Sequence, residues 1–186
     1  MALREESDMI LNSDIDEKRI YEIGALYEAS FPENERMPFE RILKKRSEGV
    51  MRLLSIEDQD RAFLGFANIT LCFDALVLNY FAIVPTEQGK GYGTQTLERL
   101  KELYPKRSIV IDIEDDGIKA ENSAQRIRRR QFYERLGFRA MPYRVTIVGV
   151  ESLIMSSGRE YSFEEYKAIF SQAFSSWAAE RLILNE

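Results

Sequence analysis

The chain contains no histidine. That absence excludes Ser-His-Asp and Cys-His nucleophilic sites and any histidine-rich metal centre. There is one cysteine, Cys72, so no internal disulfide can form and no cysteine cluster suggests zinc. Nothing places a base beside Cys72, which reads as a small apolar residue rather than a nucleophile. No apolar run approaches the length that spans a bilayer, and Met1 to Asn12 has no signal-peptide core. The expected compartment is therefore the cytoplasm, with no membrane partner. Basic residues are outnumbered, 26 against 31 acidic ones, and the resulting charge of −5 argues against a nucleic-acid partner. Repeats and low-complexity linkers are absent too. Chemistry must come from carboxylates, tyrosines, backbone amides or a bound cosubstrate, and no metal is expected.

What is present suits one globular domain with a small appendage: 186 residues, 45% hydrophobic, are enough to bury a sizeable core. Asp14 to Ser30 has helical spacing at Ile20, Ile23 and Tyr27, opened by Asp14 or Asp16. Phe31-Pro32 breaks it, and Pro38 suits the opening of a second helix to about Glu48. The period then changes. Met51 to Ile56 and Ala62 to Leu71 read as strands around an acidic turn, and Leu76 to Val84 as a more uniformly apolar third strand. A helix with Leu97, Leu100 and Tyr104 on its stripe follows, ended by Pro105. Ser108 to Glu114 is a strand, and Ser123 to Leu136 a helix stopped by Gly137. Tyr143 to Ser157 reads as two strands broken near Gly149, and the tail from Phe163 to about Leu184 as helical. The alternation is that of an α/β layer structure.

The most informative segment runs from Leu76 to Leu103. A strand ends at Pro85, glycines alternate at Gly89, Gly91 and Gly93, and a helix begins at once. Alternate glycines let a ligand approach the backbone, and the helix start offers bare amides and a favourable dipole to an anion. A pyrophosphate is the natural guest. A dinucleotide fingerprint fails because Thr94 replaces its third glycine, and a Walker loop fails because Gly91 follows Lys90. The plainer alternative is an ordinary glycine-rich turn.

Gln88, Gly91 and Gly93 match the coenzyme-A loop of the GNAT N-acetyltransferase superfamily: Gln or Arg, two residues, Gly, one residue, Gly or Ala. Phe81-Ala82-Ile83-Val84-Pro85 resembles that family's pantetheine-binding strand, and Phe132-Tyr133-Glu134-Arg135-Leu136-Gly137-Phe138 resembles its tyrosine and glycine-phenylalanine ending. The resemblance covers about Ala62 to Thr146. It implies a mixed, mostly antiparallel central sheet flanked by helices on both faces. It further implies a GNAT domain over residues 1–160, with 161–186 a helical extension packed on the same domain.

The activity implied is acetyl transfer from acetyl-coenzyme A to a primary amine, by direct attack in a ternary complex. The backbone of Phe81, Ala82 and Ile83 would hold the pantetheine arm and the acetyl carbonyl. Amides of Gly89, Lys90, Gly91, Tyr92, Gly93 and Thr94, with Gln88, would cradle the pyrophosphate. Tyr133 would protonate the departing thiolate. Where the family often has an asparagine seven positions before that tyrosine, Arg126 stands here, a candidate for a coenzyme-A phosphate; Asn122 is out of register. Phe132, Tyr133 and Leu136 are equally readable as core residues.

With histidine absent, a carboxylate is the expected base. Asp112 and Glu114 alternate on one face near a strand end, and the family's equivalent strand often carries the base. Exposed strand-end charges would look the same. Asp115 and Asp116 read as turn residues. Phe31, Glu33 and Glu35 lie in the region that lines the acceptor site in the family, and acids there would suit a cationic amine. Competing readings are a non-catalytic acyl-coenzyme-A sensor on the same scaffold, and a tail that uses Phe163, Tyr166, Ile169, Phe170 and Phe174 to form a homodimer.

Overall fold

The computed structural model describes residues 9–33, 36–118 and 121–185. The elements are β1 (Met9–Asn12), α1 (Glu17–Ser30), α2 (Phe39–Ser47), β2 (Arg52–Asp58), β3 (Phe63–Cys72) and β4 (Ala75–Ile83). After a 3-10 turn at Pro85–Glu87 come α3 (Tyr92–Leu103), β5 (Ser108–Glu114), α4 (Ser123–Arg135), β6 (Arg139–Ile147), β7 (Val150–Ser156), α5 (Phe163–Ala173), α6 (Ser176–Ala179) and β8 (Ile183–Asn185). The strands form a mixed, mostly antiparallel sheet in the order β1-β2-β3-β4-β5-β7-β6-β8, with β4–β5 the parallel pair.

The chain divides into two compact units: residues 1–69 with 80–103, and residues 70–79 with 104–186. In the first, Asp16 caps α1 by accepting the Arg19 amide at 2.8 Å, so the helix opens at Glu17 rather than Asp14. Met9, Ile56 and Leu64 form a small core with Phe81, Ile83 and Tyr92 packed against it. Gly65 is dictated by close approach: a Cβ there would stand 2.3 Å from the Ala82 carbonyl oxygen, so any side chain would displace β4.

In the second unit β4 pairs with β5 over Ala75–Val77 against Ser108–Val110, and β5 pairs antiparallel with β7 from Val110 to Glu114. Val77, Val110, Val145 and Ile154 share one buried cluster with Tyr166, Ile169 and Phe170 of α5. The apolar tail face expected from the sequence is thus covered within its own unit.

Three expectations need correction. β1 and β8 are strands that periodicity missed, each too short to show alternation. β6 begins at Arg139, four residues before Tyr143, because a register shift between Ala140 and Arg144 breaks its pattern. The tail is not one helix. Ser175 caps a second, four-residue helix by accepting the Ala178 amide, and Ile183 to Asn185 then pair with Arg144 to Thr146 of β6.

Candidate active site

Each unit carries its own chemically suggestive residues. In the first, Gln88 folds back and donates from Nε2 to the Ile83 carbonyl at 3.0 Å, tying the loop to the end of β4. Lys90 pairs with Glu87 at 2.9 Å. Gly89 and Gly91 adopt φ of 80° and 93°, a left-handed region in which residues with a Cβ are strained. Gly91 is also the first carbonyl of α3, accepting the Gln95 amide at 3.0 Å. A glycine cap brings no side-chain oxygen to the helix start. The amides of Gly91, Tyr92, Gly93 and Thr94 therefore have no acceptor within the helix, and the positive end of its dipole coincides with them. This is the physical requirement for holding an anionic group.

The Phe31 segment lies in the same unit. Tyr27, Phe31, Phe39, Phe66 and Tyr80 form an aromatic cluster; Tyr80 meets Tyr27 and Phe31 edge to face at 4.9 and 5.2 Å. The hydroxyl of Tyr27 donates to the Met37 carbonyl at 2.8 Å and that of Tyr80 accepts the Met37 amide at 3.0 Å, so both rings brace the turn before α2. Glu33 is exposed. Glu35 lies outside the described residues.

In the second unit the two acids of β5 share a face but not a role. Glu114 is clamped. Arg126 reaches it at 2.6 Å and Arg129 at 3.5 Å, while Asn122 donates to both carboxylate oxygens at 3.3 Å. Arg126 also donates to the Asn122 side chain at 2.8 Å and to the Asp115 carbonyl at 3.1 Å. Its guanidinium, read from sequence as a phosphate ligand, here staples α4 to the end of β5. Arg130 pairs with Asp116 at 3.0 Å and Glu134 at 2.8 Å. Asp115, expected to be a simple turn residue, is buried: it caps its turn through the Gly117 amide and pairs with Arg144. Most of the basic run is thereby neutralised locally.

Asp112 is different. It lies two residues beyond the last residue of β5 that pairs with β4, and solvent reaches it. Among the described residues no cation approaches it within ion-pair distance. The surrounding protein nonetheless desolvates its carboxyl, pushing the pKa up to about 6 against a weaker lowering by its own backbone and by Arg129. Tyr133, on α4, is buried against Phe132 and Phe138. Burial raises its pKa to about 12, Arg129 works against that rise, and the Asp112 charge adds to it. Asp112, Arg129 and Tyr133 are therefore within electrostatic reach of one another.

Residues 51–140 match the family model described as the acetyltransferase (GNAT) domain. Over that segment the chain is similar to the GNAT acetyltransferases. No curated protein sequence matches the chain significantly. Among solved structures, a protein assigned to the GNAT acetyltransferases of Bacteroides thetaiotaomicron aligns with a TM-score of 0.69 at 23% identity, over 92% of this chain and 98% of that one. Spermidine N-acetyltransferase from Vibrio cholerae, solved with coenzyme A and spermine, aligns at 0.60 and 15% identity over 81% and 95%. The ribosomal-protein-S18-alanine N-acetyltransferase of Escherichia coli aligns at 0.57 and 20% over 83% and 96%. At these identities the likeness is one of fold.

The GNAT match takes in the glycine loop, both β5 carboxylates and Tyr133, and stops before β7 and α5. Among the described residues no group of His, Cys, Asp and Glu is arranged to hold a metal ion, and no helix is long and apolar enough to cross a membrane. Sequence reasoning missed one polar residue of interest, Tyr166. Helical spacing places it on an apolar face, and spacing does not disclose a buried hydroxyl that has no partner among the described residues.

Proposed function

We propose that this protein transfers the acetyl group of acetyl-coenzyme A to a primary amine. The observation that carries the proposal is the start of α3: four amides without helical acceptors behind a glycine cap, on the stretch that matches the family's coenzyme-A loop. Those amides suit the pyrophosphate, with Gln88 and Lys90 beside them. The backbone of Phe81, Ala82 and Ile83 is assigned the pantetheine arm and the acetyl carbonyl, where amides would stabilise a developing oxyanion. Since Gln88 already occupies the Ile83 carbonyl, that carbonyl is not assigned to the cosubstrate.

Asp112 is the base in this reading, in preference to Glu114. An alkylammonium has a pKa near ~10, so its proton must move uphill to any carboxylate. A carboxyl at about 6 narrows that gap by about two units relative to an ordinary aspartate while staying mostly ionised at pH 7 to 8. Glu114, bound by two arginines, has no such freedom. The neutral amine then attacks the thioester carbon, and the C–S bond breaks with the electron pair leaving on sulfur. Tyr133 donates its proton to that thiolate, and the second proton, shed by the nitrogen as the amide forms, returns through solvent to the phenolate. The two proton movements are coupled: once Asp112 is protonated, the charge that raised the Tyr133 pKa is gone, so the phenol becomes the better acid. Phe31 and Glu33, with Glu35, are assigned to the acceptor.

The test combines calorimetry with acetyl-coenzyme A and coenzyme A and an assay of free thiol over an amine panel. Spermidine, spermine, lysine and a peptide with an amino-terminal alanine belong in that panel, given the relatives' acceptors. Binding and amine-dependent thiol release are expected. Gly91→Ala, strained by its positive φ, is expected to weaken binding about tenfold. Absence of binding heat sinks the proposal; binding with no release across the panel favours the sensor reading.

A further inference from the structure

Of the described tyrosines in the cluster packed by α5, Tyr143 and Tyr161 have acceptors and Tyr166 does not. Tyr143 donates to the Tyr161 carbonyl at 3.0 Å, and Tyr161 donates to the Asp74 carbonyl at 3.4 Å. Tyr166 is 2% exposed, and its hydroxyl meets no partner among the described residues. The same helix uses phenylalanine at 163 and 170, so a hydroxyl at 166 is a departure that packing does not require. A buried hydroxyl without a partner is destabilising relative to phenylalanine.

Its position supplies a reason. Side chains alternate along β5, so Asp112 stands on the face of Val110, and its cross-strand neighbour on β7 is Ile154. Val110 and Ile154 belong to the buried cluster that contains Tyr166. Tyr166 therefore shares a core cluster with the two residues that flank Asp112 along and across the strand. Tyr166 also registers the Asp112 charge directly: burial first, then Asp112 and Tyr143, hold its phenol well above the ordinary range. It stays a proton donor at every working pH.

We propose that Tyr166, on a helix beyond the segment matched by the family model, is a positioning residue whose buried hydroxyl steadies the ionised Asp112 carboxylate. Its ring is fixed in the α5 core while the carboxyl can turn on β5, so the donor waits at a set place for an acceptor that moves. The groups facing Asp112 are then Arg129 and Tyr133 of α4 and Tyr166 of α5, with Glu114 on its own strand; Tyr143 of β6 faces Tyr166. A donor to the charged form lowers a carboxyl pKa. When it donates, Tyr166 therefore lowers the Asp112 pKa and extends the ionised base to lower pH. The inference rests on Asp112 being the base in the proposed function.

The experiment follows the Asp112 carboxyl carbon by nuclear magnetic resonance across a pH titration, in the wild-type protein and in Tyr166→Phe. Loss of the hydroxyl is expected to raise the Asp112 pKa by about one unit, and the acid limb of kcat/KM should move up by the same amount. The melting temperature should stay level or rise, since the ring remains. Tyr143→Phe should leave the Asp112 titration in place. Should Tyr166→Phe not fold, 3-fluorotyrosine at position 166 keeps the shape and strengthens the donor, and it should lower the Asp112 pKa. An unmoved Asp112 titration in these variants overturns the role of Tyr166. The base assignment fails separately, if Asp112→Asn keeps full turnover and the acid limb; a shifted titration in Tyr166→Phe would then still support the hydrogen bond.

Discussion

Glu57 on β2 and Asp112 on β5 are both carboxylates crowded by protein, and their surroundings make opposite use of them. Glu57 is 2% exposed on the wall of a polar cavity of about 570 Å³. Arg61 meets it at 3.0 Å, Arg19 at 3.3 Å and the Asn12 amide at 3.2 Å. Desolvation alone would raise its pKa, but these partners overcome it and the net shift is downward. Asp112 is reached by solvent yet has no close cation among the described residues, and desolvation prevails. Solvent access alone would have ranked them the other way round. What decides whether a crowded acid serves as a structural anion or a reactive base is the number of donors fixed around it.

The comparison breaks most decisively at Asp112. Asp112→Asn should lower turnover by about 100-fold to 10,000-fold, the usual worth of a general base, without weakening coenzyme-A binding. Thiol release at saturating acetyl-coenzyme A measures the first and calorimetry the second. The stability effect has an unusual sign. A carboxyl that gives up its proton at about 6 when folded and near 3.8 when unfolded binds protons more tightly in the folded state. Its contribution to stability therefore falls as pH rises from about 4 to 6. The asparagine variant loses that dependence, so its denaturation midpoint at pH 8 should be no lower than that of the wild type. A large loss of stability there would make Asp112 structural.

Tyr133→Phe comes next. The ring keeps its contacts with Phe132 and Phe138, and only the proton donor goes. Turnover should fall about 100-fold with an unchanged Kd for coenzyme A. An acetyl donor with a more acidic thiol should recover part of the loss, because it needs less protonation on leaving.

At Glu57 the effect should move from rate to stability. Glu57→Gln removes one of two anions at the mostly buried Arg19, which keeps Glu22 at 2.7 Å, at a cost of about 1 kcal/mol in urea denaturation; Arg61 is exposed and adds little. Turnover per folded molecule should not change. The sign with pH is opposite to that of Asp112. A depressed carboxyl stabilises the fold above its unfolded pKa of 4.5, and that support disappears as pH falls through the lower folded value. The wild type should thus lose stability on acidification in this range, and the glutamine variant should lose less.

How far the sequence discloses these differences depends on whether a contact is local. Alternation along residues 108–114 is enough to put Asp112 and Glu114 on one face, and glycine spacing before Tyr92 is enough to identify a helix start with free amides. Gly137 stops α4 as expected, with φ at 82°. The clamp on Glu114 is not visible in that way, because Asn122 and Arg126 reach it only after a turn whose path the intervening residues do not specify. The neighbourhood of Tyr166 is less visible still: it lies 54 positions from Asp112 in the chain and is joined to it only through the packed core around Val110 and Ile154. Helical periodicity at Tyr166 reports that the side chain is buried, and nothing in a period distinguishes a buried ring from a buried hydroxyl. β1 and β8 escape for a different reason. Three or four residues contain too few alternations to outweigh chance, and their strand character comes from the ladders they join.

Glu114→Gln is expected to have the smallest effect, and for that reason it tests the comparison most finely. Glu114 shares a strand, a face and a side-chain length close to that of Asp112, so position alone would give the two acids equal claims as base. The donor count separates them. Arg126, Arg129 and Asn122 surround Glu114 as Arg19, Arg61 and Asn12 surround Glu57, and a carboxylate so placed is engaged as a structural anion. The amide of glutamine keeps one acceptor oxygen for the arginines, so α4 should remain in place. Turnover should change by less than about threefold, with the acid limb of the pH profile unmoved. A drop as large as that of Asp112→Asn would show that the arginines hold Glu114 ready for the reaction instead of withdrawing it, and donor count would then be a poor guide to which crowded acid does chemistry.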